Sequence, residues 1–117
     1  MSERNADAID PAGLRYDVRA EEDAAVVVLD GDIDLANTSD IEHGVERILE
    51  ANAVSRLVLD LADVDFMDST GLRMLWEIRQ KAQDVSAKLV LRTPSDPVLR
   101  LLRLTGMHRI FQIEELN

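Results

Sequence analysis

The sequence predicts an α/β fold: one small domain built on a mixed, mostly parallel β-sheet packed with α-helices, in the order ββαβαβαβ. Three observations carry that reading. Short aliphatic runs (Ala24–Leu29, Arg56–Leu61, Lys88–Arg92) alternate with longer stretches whose apolar residues recur at helical spacing. Strands alternating with single helices need crossovers, which are right-handed and leave neighbouring strands parallel. The first two strands are joined too tightly for a crossover, so they should pair antiparallel.

Taken in order, residues 1–13 read as a flexible tail, polar and acidic, ended by the turn-like Asp10-Pro11-Ala12-Gly13. The domain then occupies residues 14–117. Leu14 to Arg19 alternates Leu14, Tyr16 and Val18 with Arg15, Asp17 and Arg19, an edge-like strand with one wet side. Glu21-Glu22-Asp23 makes a turn. Ala24 to Leu29 is continuously apolar, which suits a strand covered on both faces. Asp30-Gly31-Asp32-Ile33-Asp34 leads into a loop.

Ser39 and Glu42 match a capping box, and the helix they open lines up Ile41, Val45, Ile48 and Leu49 before ending near Asn52. Arg56 to Leu61 is the next strand, with Val64, Phe66 and Met67 on an irregular continuation. A helix starts at Asp68-Ser69-Thr70-Gly71, with Leu72, Leu75, Trp76 and Arg79 behind it and Met74 and Ile78 widening the apolar face. It exposes Arg73, Glu77 and Gln80. Lys88 to Arg92 is another strand. Ser95-Asp96-Pro97 is a strong helix start, Val98, Leu101, Leu102 and Thr105 form the stripe, and Gly106 stops it. Ile110 to Ile113 is a last short strand.

Bulk properties narrow the function. A chain of 117 residues can bury a real core without disulfides, and with no cysteine it has no thiol nucleophile and no Cys-based zinc site. A formal net charge of -10 disfavours nucleic acid and anionic membranes, which are polyanions; it is compatible with a basic protein partner and equally with a role in solubility alone. Only Trp76, Tyr16, Phe66 and Phe111 are aromatic, too few for a base-stacking platform. Met1 to Gly13 has no apolar export core, and no apolar run reaches the roughly 20 residues of a membrane span. The expected location is the cytoplasm.

The most informative stretch runs from Leu57 to Leu75, a strand that passes through a short loop into a helix at Ser69. Sites in α/β sheets form at the carboxyl ends of strands. A helix start there offers free N–H groups and a positive dipole end, which could receive a phosphate on Ser69, while Gly71 keeps the backbone unobstructed. Asp68, and Asp32 and Asp34 at the end of the preceding strand, would make the same rim strongly anionic. The simpler reading is that Asp68 or Ser69 merely caps the helix. No G-x-S-x-G elbow surrounds Ser69. His43 and His108 read as surface or structural residues. Asp60, Asp63, Asp65 and Asp68 lack EF-hand spacing, and no Gly-rich phosphate loop is present, so no metal or cofactor is expected.

Three segments together resemble the STAS domain, specifically the bacterial anti-sigma-factor antagonists, over roughly Leu14 to Leu116. Phe66-Met67-Asp68-Ser69-Thr70-Gly71-Leu72 is similar to that family's phosphorylation segment, Gly31-Asp32-Ile33-Asp34 to its Gly-x-Leu/Ile-Asp loop, and Leu104-Thr105-Gly106-Met107 to its helix end before the last strand. The resemblance implies a binding switch rather than an enzyme. The unphosphorylated form would bind an anti-sigma factor with an ATP-dependent serine kinase fold and so free a sigma factor. Phosphorylation of Ser69 would turn it off, and a serine phosphatase would restore it. Thr70 stands as a minor alternative acceptor. Asp32, Asp34, Asp68, Thr70, Gly71 and Arg73 would form the partner surface, with the loop from Gly31 to Asn37 beside the first turns of the helix. Two other classes remain at this stage: a STAS accessory or scaffold subunit of a transporter or stressosome-type assembly, and an enzyme using Ser69 as its nucleophile.

Overall fold

The computed structural model describes residues 8–9 and 14–115. Its strands are β1 (Ala8–Ile9), β2 (Arg15–Arg19), β3 (Ala24–Ile33), β4 (Arg56–Met67), β5 (Lys88–Arg92) and β6 (Gln112–Glu114). Its helices are α1 (Thr38–Ala51), α2 (Ser69–Asp84) and α3 (Asp96–Thr105). The strands form one sheet in chain order, with β1–β2 and β2–β3 antiparallel and every later pair parallel. The predicted mixed, mostly parallel α/β domain is therefore what the chain adopts.

Because the strand order never reverses, right-handed crossovers place α1, α2 and α3 on the same side of the sheet. That side holds the main core: Ala25, Val27 and Leu29 of β3, Leu57, Leu59 and Leu61 of β4, and Leu89 and Leu91 of β5 meet the helical stripes. The predicted α1 stripe of Ile41, Val45, Ile48 and Leu49 is buried as a unit. The opposite side carries a smaller buried cluster of Ala24, Val26, Val58 and Val90. Side chains of the same parity link into a chain of ion pairs across that face: Asp17 to Arg19 at 3.1 Å, Arg19 to Glu22 at 3.8 Å, Glu22 to Arg92 at 3.9 Å, Arg92 to Glu114 at 2.8 Å and Glu114 to Arg56 at 3.7 Å. Apolar strips under long charged stems are how such side chains bury carbon while keeping their heads partnered.

Several boundaries differ from the sequence reading. The acidic segment at Asp30 stays in the sheet to Ile33, accommodated by register shifts against β4 and by Gly31 at a φ of 73°. Its parallel partner β4 likewise runs on to Met67 instead of ending at Leu61. Ser39 does not cap α1: the helix begins at Thr38, with Asn37 in the cap position and no side-chain cap bond. Ser95 occupies the cap position of α3, yet its hydroxyl donates to the Val64 carbonyl at 2.6 Å, fastening the helix to β4. Thr105 is exposed, its hydroxyl bonded back to the Leu101 carbonyl at 2.9 Å. After Gly106 a single 3₁₀ turn, Met107–Arg109, delays the last strand to Gln112. Within the stretch read as a tail, Ala8–Ile9 pair with β2, so β2 is not the edge. Residues 1–7 and 10–13 lie outside the described residues.

Candidate functional site

Parallel pairing of β3 with β4 sets Ile33 beside Met67 and Asp32 beside Phe66. Both strands therefore finish together, and the loop from Asp34 to Asn37 sits next to the start of α2. This shared rim is where the sequence placed its candidate residues.

The loop is folded by its own side chains. The Asp34 N–H donates to Asn37 Oδ1 at 3.1 Å, the Ala36 N–H donates to Asp34 Oδ1 at 3.0 Å, and Asn37 Nδ2 donates to the Asp32 carbonyl at 2.7 Å. These are Asx-type bonds that let Asp and Asn replace backbone partners in a tight turn. Asp34 is half-buried and serves the loop, while Asp32 is exposed. Leu35, at the tip, is 78% exposed.

At the start of α2 the N-cap is Asp68. Its Oδ1 accepts from the Thr70 N–H at 2.9 Å, the Gly71 N–H at 3.3 Å and the Thr70 hydroxyl. The Thr70 hydroxyl, more than the two N–H groups, holds the Asp68 carboxyl below its ordinary value against the opposing effect of desolvation. Asp68 is thus an anion at neutral pH. Capping and function are not alternatives here: Asp68 caps, which leaves Ser69 as the first helical residue, exposed on the rim. Thr70 is half-buried with its hydroxyl committed to Asp68, so of the two hydroxyls Ser69 is the accessible one.

Gly71 has a different role from the one expected. It is buried, and a Cβ there would stand 2.3 Å from Met67 Cγ and 3.3 Å from Ile33 Cγ2. The glycine lets the helix start press onto the two strand ends, and it offers no surface of its own to a partner. Arg73, one turn beyond Ser69, is exposed as predicted; Gln80 is also exposed, whereas Glu77 is half-buried.

Sequence reasoning missed the apolar part of this rim. Phe66 is 49% exposed and Trp76 is 37% exposed, with Arg79 stacked over its ring at 5.5 Å. Trp76 reads from the sequence as part of the helix's apolar stripe, and Phe66 as part of an irregular continuation of the strand. Trp76 is seven residues after Ser69, two turns along the same side, and Phe66 directly precedes the buried Met67 and so points away from it. Leu35 gave no periodic signal, being one apolar residue in a polar loop. Neither histidine is hydrogen-bonded to Ser69 among the described residues: His43 is exposed on α1, and His108 sits in the turn after α3 with its Nδ1 buried and unpartnered. Among the described residues no His, Asp and Glu cluster could hold a metal ion, and no helix is long and apolar enough to cross a membrane.

The STAS domain family matches residues 15–116. The chain belongs to the STAS family. Among curated relatives, the anti-sigma-F factor antagonist RsfB of Mycobacterium tuberculosis is 28% identical over 88% of this chain and 83% of its own length. The anti-sigma-B factor antagonist of Bacillus subtilis is 28% identical over 86% of this chain and 90% of its own. Among solved structures, an anti-sigma factor antagonist from Mycobacterium paratuberculosis superposes with a TM-score of 0.67 at 25% identity, covering 92% and 90% of the two chains. The unphosphorylated form of SpoIIAA superposes at 0.73 with 17% identity over 90% and 89%, a likeness of fold.

Proposed function

We propose that this STAS protein is an anti-sigma-factor antagonist, a partner-binding switch and not an enzyme. In its unphosphorylated form it binds an anti-sigma factor with an ATP-dependent serine kinase fold, which releases a sigma factor. The kinase phosphorylates Ser69, binding is lost, and a serine phosphatase resets the switch. All of these steps take place in the cytoplasm. The observation that carries the reading is the placement of Ser69: exposed at the first turn of α2, beside an acidic loop from the neighbouring strand. The names of the curated relatives point the same way.

The physical basis of switching is charge and desolvation on a surface fitted to a neutral serine. A phosphate adds about -1.5 to -2 charge at pH 7. On a rim that already holds Asp32 and Asp68 it meets repulsion and must be desolvated under the partner. A thousandfold loss of affinity needs only about 4 kcal/mol. The serine-nucleophile reading lacks a base bonded to Ser69 among the described residues.

Titration calorimetry of Ser69→Ala and Ser69→Asp against the cognate kinase tests the proposal. Ser69→Ala should bind like wild type and resist phosphorylation, and Ser69→Asp should bind at least about tenfold more weakly, a loss of about 1.4 kcal/mol. Equal affinity of Ser69→Asp and wild type would sink it.

A further inference from the structure

We propose that Arg73 receives the phosphoryl group of modified Ser69, and that this removes Arg73 from the partner surface when the switch is off. The inference rests on the reading of Ser69 as the modified residue and concerns what the modification does.

A phosphate on the first residue of a helix ordinarily takes the free N–H groups of the first turn. Here those of Thr70, Gly71 and Leu72 are already engaged. The Thr70 N–H is bonded to the Asp68 carboxylate at 2.9 Å, the Leu72 N–H to the Asp68 carbonyl at 3.2 Å, and the Gly71 N–H to that carbonyl at 3.0 Å and to the carboxylate at 3.3 Å. The phosphate would have to displace an ionised Asp68 from its own cap to use them. Its other neighbours on the rim, Asp32 and Asp34 from the end of β3, repel it.

Arg73 is the cation positioned to answer. Four residues after Ser69, it lies on the same helix face, where Cβ atoms at this spacing are about 5–6 Å apart. The favourable order places the anion N-terminal to the cation, which is the order here. A guanidinium also grips phosphate through two parallel N–H bonds. Arg73 is exposed and takes part in no ion pair among the described residues. Three other basic groups are engaged: Arg15 with Asp30 at 3.1 Å, Lys81 with Glu46 at 3.7 Å, and Arg79 over Trp76. Phosphorylation therefore changes the surface twice, adding an anion and neutralising a cation that the unmodified protein presents to its partner.

The test uses full-length protein with phosphoserine genetically encoded at position 69, so no kinase is needed. By ³¹P NMR titration, the second phosphoserine pKa should be lower in the Arg73 protein than in Arg73→Ala by about 0.15–0.4 unit, with Arg73→Lys in between. Equal values in all three would overturn the clamp. Affinity for the anti-sigma kinase supplies the second arm. Arg73→Ala should weaken the unmodified protein about tenfold and the phosphoserine protein less than about twofold, as expected for two groups acting through one contact. Equal losses in both forms would overturn the withdrawal of Arg73. If phosphoserine leaves kinase affinity unchanged, the switch reading itself fails, while the ³¹P titration still decides the clamp.

Discussion

Gly71→Ala adds one methyl group at the point where α2 presses on the ends of β3 and β4. The new carbon would stand 2.3 Å from Met67 Cγ and 3.3 Å from Ile33 Cγ2. Carbon atoms pack at about 3.5–4.0 Å, so Met67 or the helix start must give way by more than about 1 Å. Met67 is 4% exposed and Ile33 1% exposed, so both are enclosed by the core. Overpacking of this kind costs about 1–3 kcal/mol, partly offset by up to about 1 kcal/mol of helix propensity gained from glycine to alanine. The net expectation is a loss of about 1–2 kcal/mol, and a fall in Tm of about 4–8 °C for a chain of this size. Urea unfolding followed by circular dichroism should show a lower midpoint with an unchanged slope. In a Met67→Ala background the same change should cost at least about 1 kcal/mol less, since its main obstacle has gone. An unchanged or raised midpoint, or no coupling to Met67, would refute the packing role assigned to Gly71.

Three further outcomes are expected. Asp68 titrates lower in the folded protein than its ordinary 3.8, so its ionised form adds stability that is fully present above that value and is lost as pH falls through the folded value. Asp68→Asn should accordingly be less stable than wild type at pH 7, with the gap closing below about pH 4 in acid-unfolding curves; a gap that persists at low pH contradicts this. On the helix-free face, the Arg92 side chain is only 8% exposed and Glu114 is its shortest partner, at 2.8 Å. Glu114→Gln leaves that charge poorly paired and should cost about 1–3 kcal/mol, discounted from a fully buried pair because Glu114 is partly open to solvent, whereas Arg92→Met should cost less. Chemical denaturation gives both numbers, and the reverse order would disprove the argument. Phe66→Ala should leave Tm within about 2 °C of wild type yet weaken binding to the anti-sigma kinase by at least about tenfold, measured by calorimetry.

The fold was legible because its signals were redundant. Lys88 to Arg92 is bounded by polar residues and becomes a strand with those limits, and the α1 stripe buries as its spacing requires. The start of α2 was also plain, since Asp68, Ser69 and Thr70 are all capping types ahead of an apolar stripe. What was hidden depends on tertiary partners. Asp30 to Ile33 looks like a loop by composition, but parallel pairing with β4 draws it into the sheet. Ser39 with Glu42 satisfied a local rule that lost to the Asp34–Asn37 turn, which begins the helix earlier. At the site, the residue types were readable but their division of labour was not. Which of Asp68 and Ser69 caps, and whether Gly71 serves access or packing, are matters of a few ångströms that spacing alone does not encode. The ion pairs around Arg92 join residues as distant in sequence as Glu22 and Glu114, beyond any local pattern.

The most direct measurement is to incubate the protein with its anti-sigma kinase and ATP and to map the product by tandem mass spectrometry. One phosphate is expected, on Ser69, with release of the protein from the kinase as it accumulates. A phosphate on Thr70 instead, or full modification of Ser69 with the complex still intact, would contradict the switch.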